Sequence, residues 1–81
     1  MEILDIPKIT SVSFNEDNFI IEADGKKYTW NVKEVSNRLL NASKEDRNNF
    51  TISPSGYGIH WPTLDEDISL SGLLKNKMNG A

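Results

Sequence analysis

Two adjacent residues, Asp24-Gly25, constrain this chain more than any others. Asp-Gly between two alternating runs is a strong signal for a type I′ hairpin, whose two central residues both need positive φ. A two-residue loop there sets Ile21 opposite Tyr28 and Phe19 opposite Trp30. Upstream, Asn15-Glu16-Asp17-Asn18 is a cluster of turn formers. Read as a four-residue loop, it sets Phe14 opposite Phe19 and Val12 opposite Ile21. The two hairpins agree with each other. Together they place Val12, Phe14, Phe19, Ile21, Ala23, Tyr28, Trp30 and Val32 on one face. Ser11, Ser13, Glu22, Lys27, Thr29 and Asn31 fall on the other, with Ile20 as the exception. A slip of one residue would turn the whole apolar set to solvent, so the register is strongly specified. The expected unit is a three-stranded meander with one dry face and one wet face.

Pro7 cannot donate to a sheet ladder, so residues 1–7 read as a lead-in to the first strand. After the third strand, Asn31 can cap a helix with Glu34 three residues further on. Val32, Val35, Leu39 and Leu40 supply its apolar stripe. Ser43 can cap a second, short polar helix that runs to about Asn49. Arg38, Lys44, Glu45, Asp46 and Arg47 are read as a solvated face. Phe50 to Ser53 and Tyr57 to Trp61 alternate around the Pro54-Ser55-Gly56 turn and predict a second hairpin. That hairpin puts Phe50, Ile52, Tyr57, Ile59 and Trp61 on one face, and Thr51, Gly58 and His60 on the other. Pro62 ends the strand. Beyond it, helical and extended patterns compete: Thr63 and Glu66 have capping-box spacing, while Ile68 and Leu70 alternate. Ser69 can cap a last helix bearing Leu70, Leu73 and Leu74, with Lys75 and Lys77 near its C-terminal end and a frayed tail from Asn76. The predicted architecture is therefore a single small α+β domain over 1–81. It has an antiparallel sheet, built from a meander and a C-terminal hairpin, with two or three short helices packed on one face. The expected core contains Phe14, Phe19, Ile21, Trp30, Leu39, Ile59 and Trp61.

Composition narrows the classes of function. The 81 residues contain no cysteine, 12 acids against 9 Lys and Arg, and a net charge of -3. A thiolate zinc site and a cysteine nucleophile are excluded. No apolar run approaches the roughly 20 residues needed to span a bilayer, and Met1-Glu2-Ile3 does not begin a secretory signal. A cytoplasmic protein is expected. Its acidity disfavours direct nucleic-acid binding, which rests on a basic footprint, and suits a basic protein partner.

Chemistry concentrates in one stretch, His60-Trp61-Pro62-Thr63-Leu64-Asp65-Glu66-Asp67. His60 is the only histidine. Paired with one of the three acids it would form a dyad without a nucleophile, because Ser55 and Thr63 serve turns. We read His60 as a surface or edge residue, hydrogen-bonded to a nearby acid or a backbone carbonyl. Three consecutive acids without glycine do not make a calcium loop, and no phosphate-binding glycine motif is present. The expected chemistry is contact: His60, Asp65, Glu66 and Asp67 display themselves to a partner, with no catalytic residue, metal or cofactor.

The run Gly58-Ile59-His60-Trp61-Pro62-Thr63-Leu64-Asp65-Glu66-Asp67-Ile68-Ser69, followed by Gly72-Leu73-Leu74, closely resembles the signature of the bacterial domain of unknown function 2442. Arg38-Leu39-Leu40-Asn41-Ala42-Ser43, Arg47-Asn48-Asn49-Phe50 and the Asp24-Gly25 hairpin resemble that family as well, so the likeness covers nearly the whole chain. Ser36-Asn37 departs from it, standing where the family often has an aromatic residue and a proline. The resemblance implies a small α+β domain without established catalysis. Members are often encoded beside a small protein of another uncharacterised family, which implies the antitoxin half of a toxin–antitoxin pair. Some relatives carry a helix-turn-helix domain after this one, which implies as an alternative a ligand-sensing or regulatory role. This sequence ends at Ala81, so no such domain is expected in it. A small basic protein is the expected partner; membrane contact is not expected, and weak homo-oligomerisation is left open.

Overall fold

The computed structural model describes residues 7–79, with side chains described through Lys75. Residues 1–6 of the lead-in and 80–81 of the tail lie outside the described part. The elements run β1 (Ile9–Asn15), β2 (Asn18–Ala23), β3 (Lys26–Asn31), α1 (Val32–Val35), α2 (Asn37–Leu40), α3 (Lys44–Arg47), β4 (Thr51–Ile52), β5 (Gly58–Trp61), β6 (Glu66–Ser69) and α4 (Leu70–Asn79). They form an α+β fold with two antiparallel three-stranded sheets, β1-β2-β3 and β4-β5-β6.

The first sheet has the register that its turns dictate. Phe19 pairs with Trp30 and Ile21 with Tyr28, while Phe14 pairs with Phe19 and Val12 with Ile21. Asp24 and Gly25 both have positive φ, 50° and 82°, as a type I′ turn demands. The β1–β2 loop is tighter than expected. Asn15 and Asn18 pair with each other, leaving only Glu16 and Asp17 in the turn. Shortening a loop by two residues keeps the strand parity, so the apolar face is unchanged. A register shift between Ile9 and Ser11 brings Ile9 opposite Ala23. The extra residue, Thr10, behaves as a bulge. It turns Ile9 onto the dry face, where it is buried, although simple alternation from Val12 would have pointed it outward.

Phe19, Ile21, Ala23, Trp30 and Val32 of the first half are buried together with Leu39, Ile59, Trp61, Leu70 and Leu73. The residues cluster around Phe19, whose ring lies 6.0 Å from Trp30 and 6.0 Å, edge-on, from Trp61. Phe14, expected in the core, is only half-buried. It sits near the end of β1, its ring 5.2 Å from that of Phe19, and its outer side is covered by the Arg47 guanidinium at 5.7 Å.

The single helix expected from Asn31 is broken. Asn31 does cap α1, its side chain accepting from Lys33 N. Ser36 then adopts an extended backbone, φ -163° and ψ 125°, and its hydroxyl caps α2 by accepting from Leu39 N. A serine oxygen that satisfies a helix-start N–H competes with continuing the previous helix. Ser43 caps α3 in the same way, through Asp46 N.

The second sheet has one strand more than the expected hairpin. Ile52 pairs with Ile59, and β6 adds Ile68 opposite Ile59 and Glu66 opposite Trp61. Beyond Pro62 the extended pattern therefore prevails over the helical one. Thr63 caps nothing; its hydroxyl donates to Asp46 Oδ1 at 3.3 Å. Ser69 accepts from Gly72 N at 3.2 Å, as the N-cap of α4 should. That helix continues to Asn79, beyond the fraying expected from Asn76. Among the described residues, one backbone hydrogen bond joins the two sheets, from Ile9 N to Gly56 O at 2.8 Å.

Candidate functional site

The site begins with a four-residue loop. Pro62 to Asp65 connect Trp61 to Glu66, which face each other across the β5–β6 hairpin. Proline presets φ for the first turn position. Asp65 takes φ 52°, a left-handed conformation that aspartate tolerates better than most residues. Arg38 steadies the loop by donating to Asp65 O at 2.5 Å and Leu64 O at 3.3 Å.

The even loop fixes which acids point where. Ile59, Trp61, Glu66 and Ile68 share the inner face, while Gly58, His60, Asp67 and Ser69 share the outer one, with Thr51 opposite His60. The three consecutive acids thus form no single patch. Asp65 is exposed in the loop. Glu66 turns inward, half-buried, and accepts a 2.5 Å hydrogen bond from the Ser36 hydroxyl. That bond ties β6 to the junction of α1 and α2. Only Asp67 joins His60.

His60 Nδ1 donates to Asp67 Oδ1 across 2.6 Å. Their side chains are 46% and 78% exposed, so the pair lies in solvent and spans adjacent strands. With Nδ1 held by the carboxylate, the neutral ring presents Nε2 as an acceptor. An open groove of about 370 Å³ runs beside the pair, lined by residues of all three strands of the second sheet, His60 and Asp67 among them, with Thr51, Ser53, Gly58, Ile59, Ile68 and Ser69. Among the described residues, no group of three or more His, Cys, Asp and Glu side chains is placed to hold a metal ion.

Arg47 was expected on a solvated face, and its placement is different. Its side chain is only 12% exposed. The guanidinium donates to Leu39 O at 2.9 Å, Leu40 O at 3.2 Å and Glu16 O at 2.9 Å, and meets Asp17 Oδ1 at 3.3 Å. It thereby joins the C-terminal end of α2 to the β1–β2 turn. Helix periodicity could not reveal this, because those acceptors are distant in sequence. The available signal was the tight acidic Glu16-Asp17 turn, which calls for a cation.

The family model described as "Protein of unknown function (DUF2442)" matches residues 9–79. The chain belongs to the DUF2442 family. The matched span takes in both sheets and all four helices of the fold. A crystal structure of a protein of unknown function from Rhodospirillum rubrum ATCC 11170 is similar to this DUF2442 chain. The two are 27% identical, with 89% of each chain covered and a TM-score of 0.75. No curated protein matches the chain. None of the helices among the described residues is long and apolar enough to cross a membrane.

Proposed function

We propose that this DUF2442 protein is a small, non-enzymatic interaction domain of the cytoplasm that neutralises a small basic protein, in the manner of an antitoxin. The observation that carries the reading is the solvent-facing His60–Asp67 pair. Core packing does not require an ordered polar pair on the outer face of the second sheet, whereas a docking surface uses preset polar groups for register and specificity. The net charge of -3 favours encounter with a basic partner. The open groove admits water freely, which suits a contact surface better than a reaction centre, where water is usually expelled.

Co-expression with the product of the adjacent gene tests the proposal. The expected result is stoichiometric co-purification on a tag placed on either protein, together with relief of any growth arrest that the neighbour causes alone. A soluble neighbour that neither co-purifies nor is relieved overturns it.

A further inference from the structure

We infer that the groove beside His60 and Asp67 receives a lysine side chain of the partner. The inference rests on the interaction reading above and specifies its chemistry. Three observations converge. First, among the described residues the groove has a single carboxylate, Asp67, with hydroxyls from Thr51, Ser53 and Ser69, and no Lys or Arg lines it. Second, Gly58 lines the groove without a side chain, and there is room there for no more than a methyl group. A Cβ built there would meet nothing nearer than Ile68 O at 3.6 Å and Ser53 Oγ at 3.7 Å. Third, His60 Nδ1 already occupies Asp67 Oδ1. The planar fork of an arginine needs both carboxylate oxygens for its bidentate geometry. An ammonium group is a compact charge with three donors that can be shared among separate acceptors. With Oδ1 engaged, the remaining carboxylate oxygen suits the compact charge of a lysine, whose stem can lie along the groove between Asp67 and the hydroxyls that line it.

The test is a titration of the isotopically labelled protein with the capped tripeptide Ac-Gly-Lys-Gly-NH2, followed by amide chemical shifts. Saturable shifts are expected at Gly58, His60, Asp67 and Ser69. The same tripeptide with acetyl-lysine should produce none, and the arginine tripeptide should bind several-fold more weakly. Asp67→Asn should weaken the lysine peptide about fivefold, the scale of one exposed ion pair. Glu45→Gln, which changes net charge equally at an exposed site on α3, should leave binding unchanged. Gly58→Ala should place a methyl group in the groove and weaken binding while the melting temperature holds. Shifts located elsewhere, equal binding of acetyl-lysine or arginine, or equal losses in the Asp67 and Glu45 variants would each overturn the inference. Co-purification with the neighbouring gene product uses no peptide, so a failed titration beside a successful pull-down removes the lysine groove and leaves the interaction reading standing.

Discussion

The indole N–H of Trp61 donates to the backbone carbonyl of Arg47 across 2.9 Å. Trp61 is fully buried, and the bond satisfies its one polar atom while fixing the last turn of α3 against β5. Arg47 meanwhile uses its side chain to hold α2 and the β1–β2 turn. One residue thus accepts from the second sheet through its backbone and donates to the first through its side chain. Replacing Trp61 with alanine should cost about 3–5 kcal/mol, as for large buried aromatics. A domain of this size has little more than that to lose. The variant should therefore lose near-ultraviolet circular dichroism and amide dispersion at 25 °C. Trp61→Phe, which keeps most of the volume and leaves only the Arg47 carbonyl unanswered, should remain folded with a lower urea midpoint.

Arg47→Lys tests whether charge or geometry matters at that position. Lysine keeps the cation but cannot reach three carbonyls in different directions at once. A loss of about 1–3 kcal/mol is expected from buried acceptors left unpaired. Urea denaturation that shows Arg47→Lys equal to wild type would reduce the guanidinium network to a surface ornament.

The acidic run offers a contrast within two residues. Glu66→Ala leaves the Ser36 hydroxyl without its acceptor and should destabilise by about 1–2 kcal/mol. Asp67→Ala, on the exposed face, should stay within about 0.5 kcal/mol of wild type. Combining Ser36→Ala with Glu66→Ala should give less than the sum of the two single losses, because both remove the same bond. Thermal or chemical melts of the four variants suffice to check this.

Gly56 and Gly25 make a second contrast. Both have positive φ, 85° and 82°. A Cβ at Gly25 would meet open space, whereas one at Gly56 would lie 3.1 Å from Lys8 Cβ. Gly25→Ala should cost about 1 kcal/mol from backbone conformation alone. Gly56→Ala should cost more, and should weaken amide-exchange protection at Ile9, whose N–H is bonded to the Gly56 carbonyl. Equal losses in the two variants would mean that the Lys8 contact yields without cost.

How much of this could be read from the residues follows from the range of each determinant. The first sheet was legible to the residue pair because its turns are local: Asp24-Gly25 can hardly form another hairpin, and two hairpins had to agree on one face. The caps at Asn31, Ser43 and Ser69 were legible for the same reason. The Thr10 bulge was not, since alternation carries no mark of an inserted residue. The break at Ser36 was hidden because Val32, Val35 and Leu39 fit one continuous helix, and what stops it is a hydroxyl whose second partner, Glu66, lies thirty residues away. The strand β6 was left undecided between two patterns until its pairing with β5 supplied the missing contacts. At the candidate site, the outward direction of His60 followed from parity. The division of Asp65, Glu66 and Asp67 among three environments depended on the length of the Pro62–Asp65 loop, which the sequence alone does not state.

Among the described residues, the lone backbone link from Ile9 to Gly56 bears on how such a protein can change over time. Two sheets joined by a continuous ladder must vary in concert, because hydrogen-bond spacing tolerates no insertion. Here the halves meet mainly through the volumes of Phe19, Trp30, Ile59, Trp61 and their neighbours. Each half is then free to acquire new surface chemistry so long as it presents the same buried shape to the other. A lineage could refit the outer face of the second sheet to a succession of partners while the meander stayed as it was.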